Sequence, residues 1–382
     1  MQVSNLLKLI FLTTLLMTGL FSSWGWAQDQ VKGYRWHRPG KEVVQGSLHD
    51  RTMEAYQRLP AVMQHQVRKS VWTLSTQSAG LFIDFQTDAS NICITYKVTG
   101  GLSMPHMPTT GVSGVDLYAF DKTEHVWEWA SGKYVFGDTT ITYTFENIAP
   151  TQGAKKYYRL YMPLYNTIED LSIGIAPSDT IAFPSTPGKP IIVYGTSITQ
   201  GACASRPGLA WTNILGRRLK QEVVNLGFSG NGRLERPVLE LIANTPAAAI
   251  ILDCLPNLEI TRDRSEQELD SLLYQAVVLI REKQPGIPIV LAEHSSGFNR
   301  HILNTTQVRR YEITTQVARR TFARLEAKGV SGLYLLSNTA IGLDIDSTVD
   351  YVHPNDRGMM KIANAYYRLL KEIGSEDFMF RE

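Results

Sequence analysis

Ile191-Ile-Val-Tyr-Gly-Thr-Ser-Ile-Thr-Gln-Gly201 joins an unbroken apolar run to a small-residue turn and the start of a helix. Ile191 to Tyr194 has the composition of a strand buried on both faces. The run stops at Gly195, and a Thr-Ser pair opens the next element. Strand, tight turn and helix make the first unit of an alternating β/α chain.

The rhythm continues to the C-terminus. Glu222-Val-Val-Asn-Leu226, Ala247-Ala-Ala-Ile-Ile-Leu252, Pro288-Ile-Val-Leu-Ala292 and Gly332-Leu-Tyr-Leu-Leu336 are further apolar runs. Helical patterns at Trp211–Leu219, Arg236–Ala243, Glu266–Lys283 and Thr306–Lys328 separate them, and Arg357–Ile373 closes the chain. The pattern predicts a parallel five-stranded sheet, order 2-1-3-4-5, with helices on both faces. Ligands of such sheets sit beyond the carboxyl ends of the strands, so chemistry belongs in those loops.

The preceding half has a different texture. Gly80–Asp88, Asn91–Val98, Val115–Phe120, Thr140–Phe145 and Tyr157–Met162 alternate apolar with mixed residues and end in turn chemistry. Short strands punctuated this way predict a jelly-roll-like β-sandwich. Most of the aromatics Trp127, Trp129, Tyr157, Tyr158, Tyr161 and Tyr165 belong in its core, with one or two left to stack on sugar rings. Pro184-Ser-Thr-Pro-Gly-Lys-Pro190 reads as a stiff linker. The expected organisation is a signal peptide over 1–27, a β-sandwich over 28–183, the linker over 184–190 and an α/β domain over 191–382.

The signal peptide rests on Lys8, the apolar run Leu9–Phe21 and the small-x-small sequence Gly25-Trp-Ala27. Cleavage after Ala27 predicts a periplasmic or secreted protein without a stable membrane span. Among 382 residues, 19% are charged and the net charge is +2, a balance that points away from nucleic acid and acidic membranes. The arginines of the fourth helical pattern are a solvated face. The three cysteines exclude a full disulfide framework, and their spacings fit no zinc site. Cys203 and Cys254 fall in loops after neighbouring strands, which makes them a candidate disulfide in an oxidising compartment.

Four loops carry chemistry. Ser197 stands at the turn into a helix, where its hydroxyl faces the site and its backbone N–H is free to meet an anion. Asp350-Tyr-Val-His353 precedes the last helix. Its spacing lets the carboxylate hold imidazole Nδ1, leaving Nε2 to take a serine proton. Gly227 and Asn257 follow the second and third strands and are candidate oxyanion donors beside Ser197 N–H. His294 is a weaker candidate base, lacking the Asp-x-x-His context. Gly227-Phe-Ser-Gly-Asn-Gly232 does not have dinucleotide-loop spacing. Gly195–Thr199 lacks the last glycine of a Gly-x-Ser-x-Gly elbow.

Taken together, Gly195-Thr-Ser-Ile-Thr199, Asn225-Leu-Gly227, Pro256-Asn257 and Asp350-x-x-His353-Pro354 resemble the SGNH (GDSL-like) hydrolases in order and in loop position. The resemblance covers Ile191 to the C-terminus and implies a flavodoxin-like catalytic domain. Carried over, the name-giving residues fall on Ser197, Gly227, Asn257 and His353, with Asp350 completing the triad. Thr196 replaces the usual Asp before the serine, and Pro256-Asn257-Leu258 replaces the usual Gly-x-Asn-Asp block. Gly114-Val-Asp-Leu-Tyr118 is similar to the Gly-x-Asp-Leu-Tyr motif of a β-domain that precedes one SGNH subgroup, many of whose members resemble carbohydrate esterases.

The resemblance implies hydrolysis of short acyl esters, acetyl above all, on a carbohydrate or small molecule. That chemistry needs no metal and no organic cofactor. A lipase or thioesterase for longer chains is the rival among enzymes. A glycan-binding protein with an inactive esterase domain is the rival outside them.

Overall fold

The computed structural model describes residues 33–48, 56–137, 140–148, 155–184, 188–295 and 304–374. The leader expected over 1–27 lies outside the described residues. Among those described, no helix is long and apolar enough to cross a membrane.

The N-terminal half is strand-rich: β1 (Arg35–His37), β2 (Val44–Gln45), β3 (Phe82–Thr87), β4 (Ile92–Val98), β5 (Asp116–Asp121), β6 (Val126–Ala130), β7 (Lys133–Phe136), β8 (Ile141–Phe145), β9 (Lys156–Tyr161), β10 (Ile168–Ile175) and β11 (Ile181–Ala182). They form two antiparallel sheets. One runs β1-β10-β4-β8-β7; the other runs β11-β3-β9-β5-β6, with β2 pairing to β3. Alternation does the packing. Ile83 and Phe85 of β3, Leu117 of β5 and Tyr158 and Leu160 of β9 point inward from one sheet. Ile92, Ile94 and Tyr96 of β4, with Ile173 and Ile175 of β10, meet them from the other. Arg159 of β9 is buried and takes both carboxylate oxygens of Asp84 across the strand pair, at 2.7 and 2.8 Å.

The C-terminal half carries β12 (Ile191–Gly195), β13 (Val223–Gly227), β14 (Ala249–Asp253), β15 (Ile289–Ala292) and β16 (Leu333–Leu336). Their order is β13-β12-β14-β15-β16, all parallel, which is the order 2-1-3-4-5. Strands and helices fall where the apolar runs place them. The sheet separates two cores. Ile192, Val224, Ile250 and Ile289 face the helices Arg236–Ala243, Glu266–Lys283 and Thr305–Ala327. Val193, Ile251 and Val290 face Trp211–Leu219 and Asp356–Ile373. Trp211 stacks on Tyr366 there, ring centroids 4.5 Å apart.

The two halves are locked together by polar contacts as well as by shape. Arg58 is fully buried. Its guanidinium donates to Leu74 O (2.6 Å) and Gln77 O (2.8 Å) on its own side. Across the junction it donates to Gly227 O (2.7 Å) and Asn225 O (3.2 Å) at the end of β13. On another side the Gly114–Tyr118 motif supplies Asp116 and Tyr118. Asp116 accepts from Arg206 Nη1 at 2.5 Å, from Gly208 N–H at 2.9 Å and from Trp129 Nε1 at 2.6 Å. The Tyr118 hydroxyl meets the same Arg206 nitrogen at 2.6 Å.

Replacing Arg58 with Met keeps the apolar stem and removes the guanidinium from four carbonyls, of which the contacts to Asn225 O and Gly227 O are buried. A buried acceptor left without a partner costs about 1–3 kcal/mol. Urea unfolding of Arg58→Met should therefore show a loss of about 3 kcal/mol or more. A loss below about 1 kcal/mol would mean the junction does not depend on this side chain.

Candidate active site

Ser197 owes its position to close packing at two strand ends. Gly195 and Gly227 are register partners in β12 and β13. A Cβ on Gly195 would lie 2.0 Å from Thr199 Oγ1, and one on Gly227 would lie 2.2 Å from Gln200 N. Without those carbons the short helix Ser197–Gln200 settles directly onto the sheet edge. Thr196 caps it, its hydroxyl accepting from Ile198 N–H at 3.3 Å. Gly201 ends it with φ of +108°, in the left-handed region that suits glycine. Thr196 thus does the capping work open to an Asp at this position.

Asp350 and His353 form a self-contained turn. Val349 N–H donates to His353 O at 2.9 Å. Asp350 Oδ1 accepts from the backbone N–H of Val352 (3.1 Å) and of His353 (2.7 Å). The other oxygen, Oδ2, lies 2.7 Å from His353 Nδ1. One carboxylate therefore shapes the loop and orients the ring. Burial pushes the Asp350 carboxyl up, but the bonds from the His353 ring and amide outweigh it, and the net shift is downward. A carboxylate held ionised beside Nδ1 fixes the proton there and leaves Nε2 as an acceptor. Nε2 lies 2.8 Å from Ser197 Oγ.

Further contacts tie the serine loop to the histidine segment. Asp356, at the start of the last helix, accepts from Ser205 N–H at 2.8 Å and from Ser205 Oγ at 2.5 Å. Thr110 of the N-terminal half donates to Ser205 O at 2.7 Å.

Asn257 and Gly227 fare differently as candidate donors. Asn257 Oδ1 accepts from Gly232 N–H at 3.1 Å, and Gly232 packs against Gly195 and Thr196. Accepting at Oδ1 leaves the Asn257 amide N–H groups without a partner among the described residues. Gly227 N–H, by contrast, already donates to Asn225 Oδ1 at 2.9 Å. The close approach its glycine permits is that of the Gln200 backbone, so the expectation of an oxyanion donor at Gly227 is corrected. The sequence reading missed Gly230, three residues on. It is exposed, has φ of +67°, and its N–H has no hydrogen-bond partner among the described residues. Close to it in the loop, Ser229 N–H donates to Gln200 Oε1 at 3.0 Å and Gly232 N–H to Asn257 Oδ1.

The expected Cys203–Cys254 bridge is also corrected: both are free, buried thiols, as is Cys93. The reason is topological. Cys254 belongs to the core on one face of the parallel sheet and points at Tyr194 O, 3.4 Å away. Cys203 belongs to the core on the opposite face. Burial, and next the Asp350 charge, push the Cys203 thiol up to about 12. His294 is no rival base. It is buried, stacked on Tyr311 at 3.8 Å between centroids, and burial pushes it down to about 3.

The N-terminal half reaches the site. Tyr165 extends its hydroxyl toward Ser197 O, 3.5 Å away. Gln77 Oε1 accepts from Gln200 Nε2 at 2.6 Å. A cleft of about 630 Å³ opens beside them, lined by Lys69, Ser70, Thr73, Gln77, Met104, Tyr165, Ser229 and Asn231 among others. The turn at Met104–Met107 overhangs the triad, with the His106 ring centroid 5.7 Å from that of His353. His106, Cys203 and His353 offer ligand atoms within 4.8 Å of one another, a set that no sequence spacing connects.

Two family models match the chain. Residues 188–371 match the GDSL-like lipase/acylhydrolase family, and residues 34–181 match the GxDLY model of the N-terminus of SGNH-hydro-type esterases. Residues 188–371 belong to the GDSL-like lipase/acylhydrolase family. A GDSL-like protein from Bacteroides ovatus superposes on this hydrolase with a TM-score of 0.79 at 28% identity, covering 89% of this chain and 98% of its own. The salicylyl-acyltransferase SsfX3 of a tetracycline biosynthetic pathway superposes at 0.73 with 18% identity, over 91% of this chain and 100% of its own. A family two carbohydrate esterase from Cellvibrio japonicus gives 0.51 at 12% identity, over 77% and 89%. The last two likenesses are of fold. No curated protein matches the chain.

Beneath the site of this GDSL-like hydrolase lies Asp253, at the end of β14 and buried, with Thr199 Oγ1 3.4 Å away. Burial pushes its carboxyl from 3.8 up to about 6. A raised acid contributes stability below about pH 4 that is lost as pH rises towards 6, because only the unfolded chain ionises freely in that window. The loss comes to about 3 kcal/mol. Thermal unfolding of Asp253→Asn should gain on wild type from pH 4 to 7 and keep a constant lead above that. A lead independent of pH would mean Asp253 is ionised in the folded protein throughout.

Proposed function

We propose that this chain is an exported serine esterase that removes short acyl groups, acetyl above all, from carbohydrate. The observation that carries the reading is Ser197 Oγ at 2.8 Å from His353 Nε2, with His353 Nδ1 at 2.7 Å from Asp350. Ser197 Oγ attacks the ester carbonyl while Nε2 takes its proton. The carbonyl oxygen becomes an oxyanion held by the N–H groups of Ser197 and Gly230 and by the Asn257 amide. Collapse expels the sugar hydroxyl, which receives the proton from Nε2. Water then attacks the acyl-serine, giving its proton to Nε2, and the second collapse releases the carboxylic acid and returns the proton to Ser197. Asp350 stabilises the imidazolium at each stage without taking its proton.

The cleft supports the choice of leaving group. Lys69, Ser70, Thr73, Gln77 and Asn231 offer donors and acceptors to a hydroxylated molecule, beside the apolar surfaces of Leu74, Met104 and Tyr165 on which a sugar ring can rest. The fold shared with a family two carbohydrate esterase agrees with a carbohydrate substrate. Export through the leader at 1–27 would bring the enzyme to extracellular polysaccharide.

Acetate release from acetylated polysaccharides is the direct test. Ser197→Ala should fall by roughly a million-fold in kcat, to background. Equal release by the variant and the wild type would end the proposal. On a nitrophenyl ester series, activity should be highest on acetate and fall with chain length; the opposite ranking would replace the sugar esterase with a lipase.

Asn257→Ala tests the oxyanion assignment separately. It should lower kcat by about 100- to 1,000-fold with little change in KM, since the amide acts on charge present only in the transition state. A change confined to KM would make Asn257 a substrate-binding residue instead.

A further inference from the structure

The proposed acyl transfer uses His353 but neither His106 nor Cys203. These three come from separate segments. His106 stands at the tip of a turn closed by paired backbone bonds, Met107 N–H to Met104 O at 3.1 Å and Met104 N–H to Met107 O at 3.4 Å. Cys203 comes from beneath, on the loop behind Ser197, with a left-handed φ of +69°. That loop is fixed on both sides by the Ser205–Asp356 and Arg206–Asp116 contacts. The convergence of two imidazoles and one thiol within 4.8 Å is therefore built by the fold and not by local sequence.

Two nitrogens and a sulfur form the ligand set of borderline-soft divalent cations. We propose that His106, Cys203 and His353 bind one such cation, of the zinc class, and that its binding switches the esterase off. Zinc bonds of about 2.0–2.3 Å require ligand atoms roughly 3.3–3.8 Å apart, so the set must close by about 1 Å. His106, half-buried on its turn, supplies that movement. Binding forms one bond from the metal to each ligand atom and releases the Cys203 proton to solvent; no electron is transferred. A fourth position remains for water.

Inhibition follows from the bonds His353 already makes. Nε2 faces Ser197 and Nδ1 faces Asp350. An ion on Nε2 removes the proton acceptor, and an ion on Nδ1 removes the orienting carboxylate. Either way bound metal and a working triad exclude each other. The inhibitory consequence rests on the triad reading, whereas cation binding does not.

The test uses the chelator-treated full chain with cadmium and zinc chlorides as probes. Binding is read from the ultraviolet cadmium–thiolate charge-transfer band, and inhibition from nitrophenyl acetate hydrolysis. Wild type should bind one cadmium per chain, lose hydrolysis in parallel, and recover it on adding EDTA. Ser197→Ala should still give the charge-transfer band. Cys203→Ser should lose the band, and His106→Ala should bind and be inhibited at least about tenfold more weakly. Both variants should keep hydrolysis in the absence of metal. No band at millimolar cadmium, or a band unchanged in His106→Ala, would overturn the site. A band with one cadmium bound but undiminished hydrolysis would overturn the switch. If wild type hydrolyses nothing, the band still decides the metal site while the esterase reading fails.

Discussion

The turn that carries Ser197 has no room for side chains around it. A Cβ on Gly195 would strike Thr199, and a Cβ on Gly227 would strike the backbone of Gln200. Everything in the site is measured from this contact between a four-residue helix and the ends of β12 and β13. It sets the height of Ser197 Oγ above the sheet, and so the place where His353 must arrive. It also commits Gly227 and Asn225 to structure: Asn225 bonds Gly227 N–H, Thr199 O and Thr212 Oγ1, all within 3.0 Å. The Gly230 N–H, on the next loop, has no such bond among the described residues.

The N-terminal half is fastened to that same region by contacts that would be odd in a mere appendage. Buried Arg58 takes the carbonyls of Asn225 and Gly227, the residues on which the serine helix rests. Asp116 and Tyr118 hold Arg206, a few residues beyond Ser197. Arg206 also lies over the Trp129 ring, 4.3 Å from its centroid. The Gly114–Tyr118 motif is thus a clamp on the catalytic half. Its acid and phenol are chosen for a guanidinium, and the strand between them for the sandwich core.

The parallel sheet and the Asp350–His353 pairing were legible in the sequence because both are local patterns. A strand buried on both faces is an apolar run whatever its neighbours, and Asp350 shapes its own turn before it orients His353. What stayed hidden depends on partners distant in sequence. The strands β6 and β7 carry exposed, mixed side chains and lack the alternation that reveals β4 or β8. Trp129, one of six aromatics read mostly as core, is half-exposed, with Arg206 over its ring. Gly227 and Gly230 look equivalent as glycines in one loop; only the Asn225 bond separates them. Cys203 and Cys254 follow neighbouring strands, yet the two cores that claim them lie on opposite faces.

His106 shows where this dependence leads. It lies in a Pro- and Met-rich loop, Met104–Gly111, far from Ser197 and His353 in the chain, and only the loop's length hints that it could reach them. Its placement follows from the junction. The Gly111 position has backbone against backbone, a Cβ there falling 2.3 Å from Ala204 O, and Thr110 bonds Ser205. Those contacts hold the loop over the serine turn, so Met104 lines the cleft and the His106 ring comes to lie near that of His353. The cleft is then shaped jointly, with Tyr165 and Gln77 from one half facing Ser229 and Asn231 from the other. A catalytic half cut free would keep its triad geometry, since Ser197, Asp350 and His353 all lie within it. It would lose one wall of the cleft and the clamp on Arg206. The Ser197–His353–Asp350 contacts thus lie in one half, whereas the cleft beside them is shaped by both.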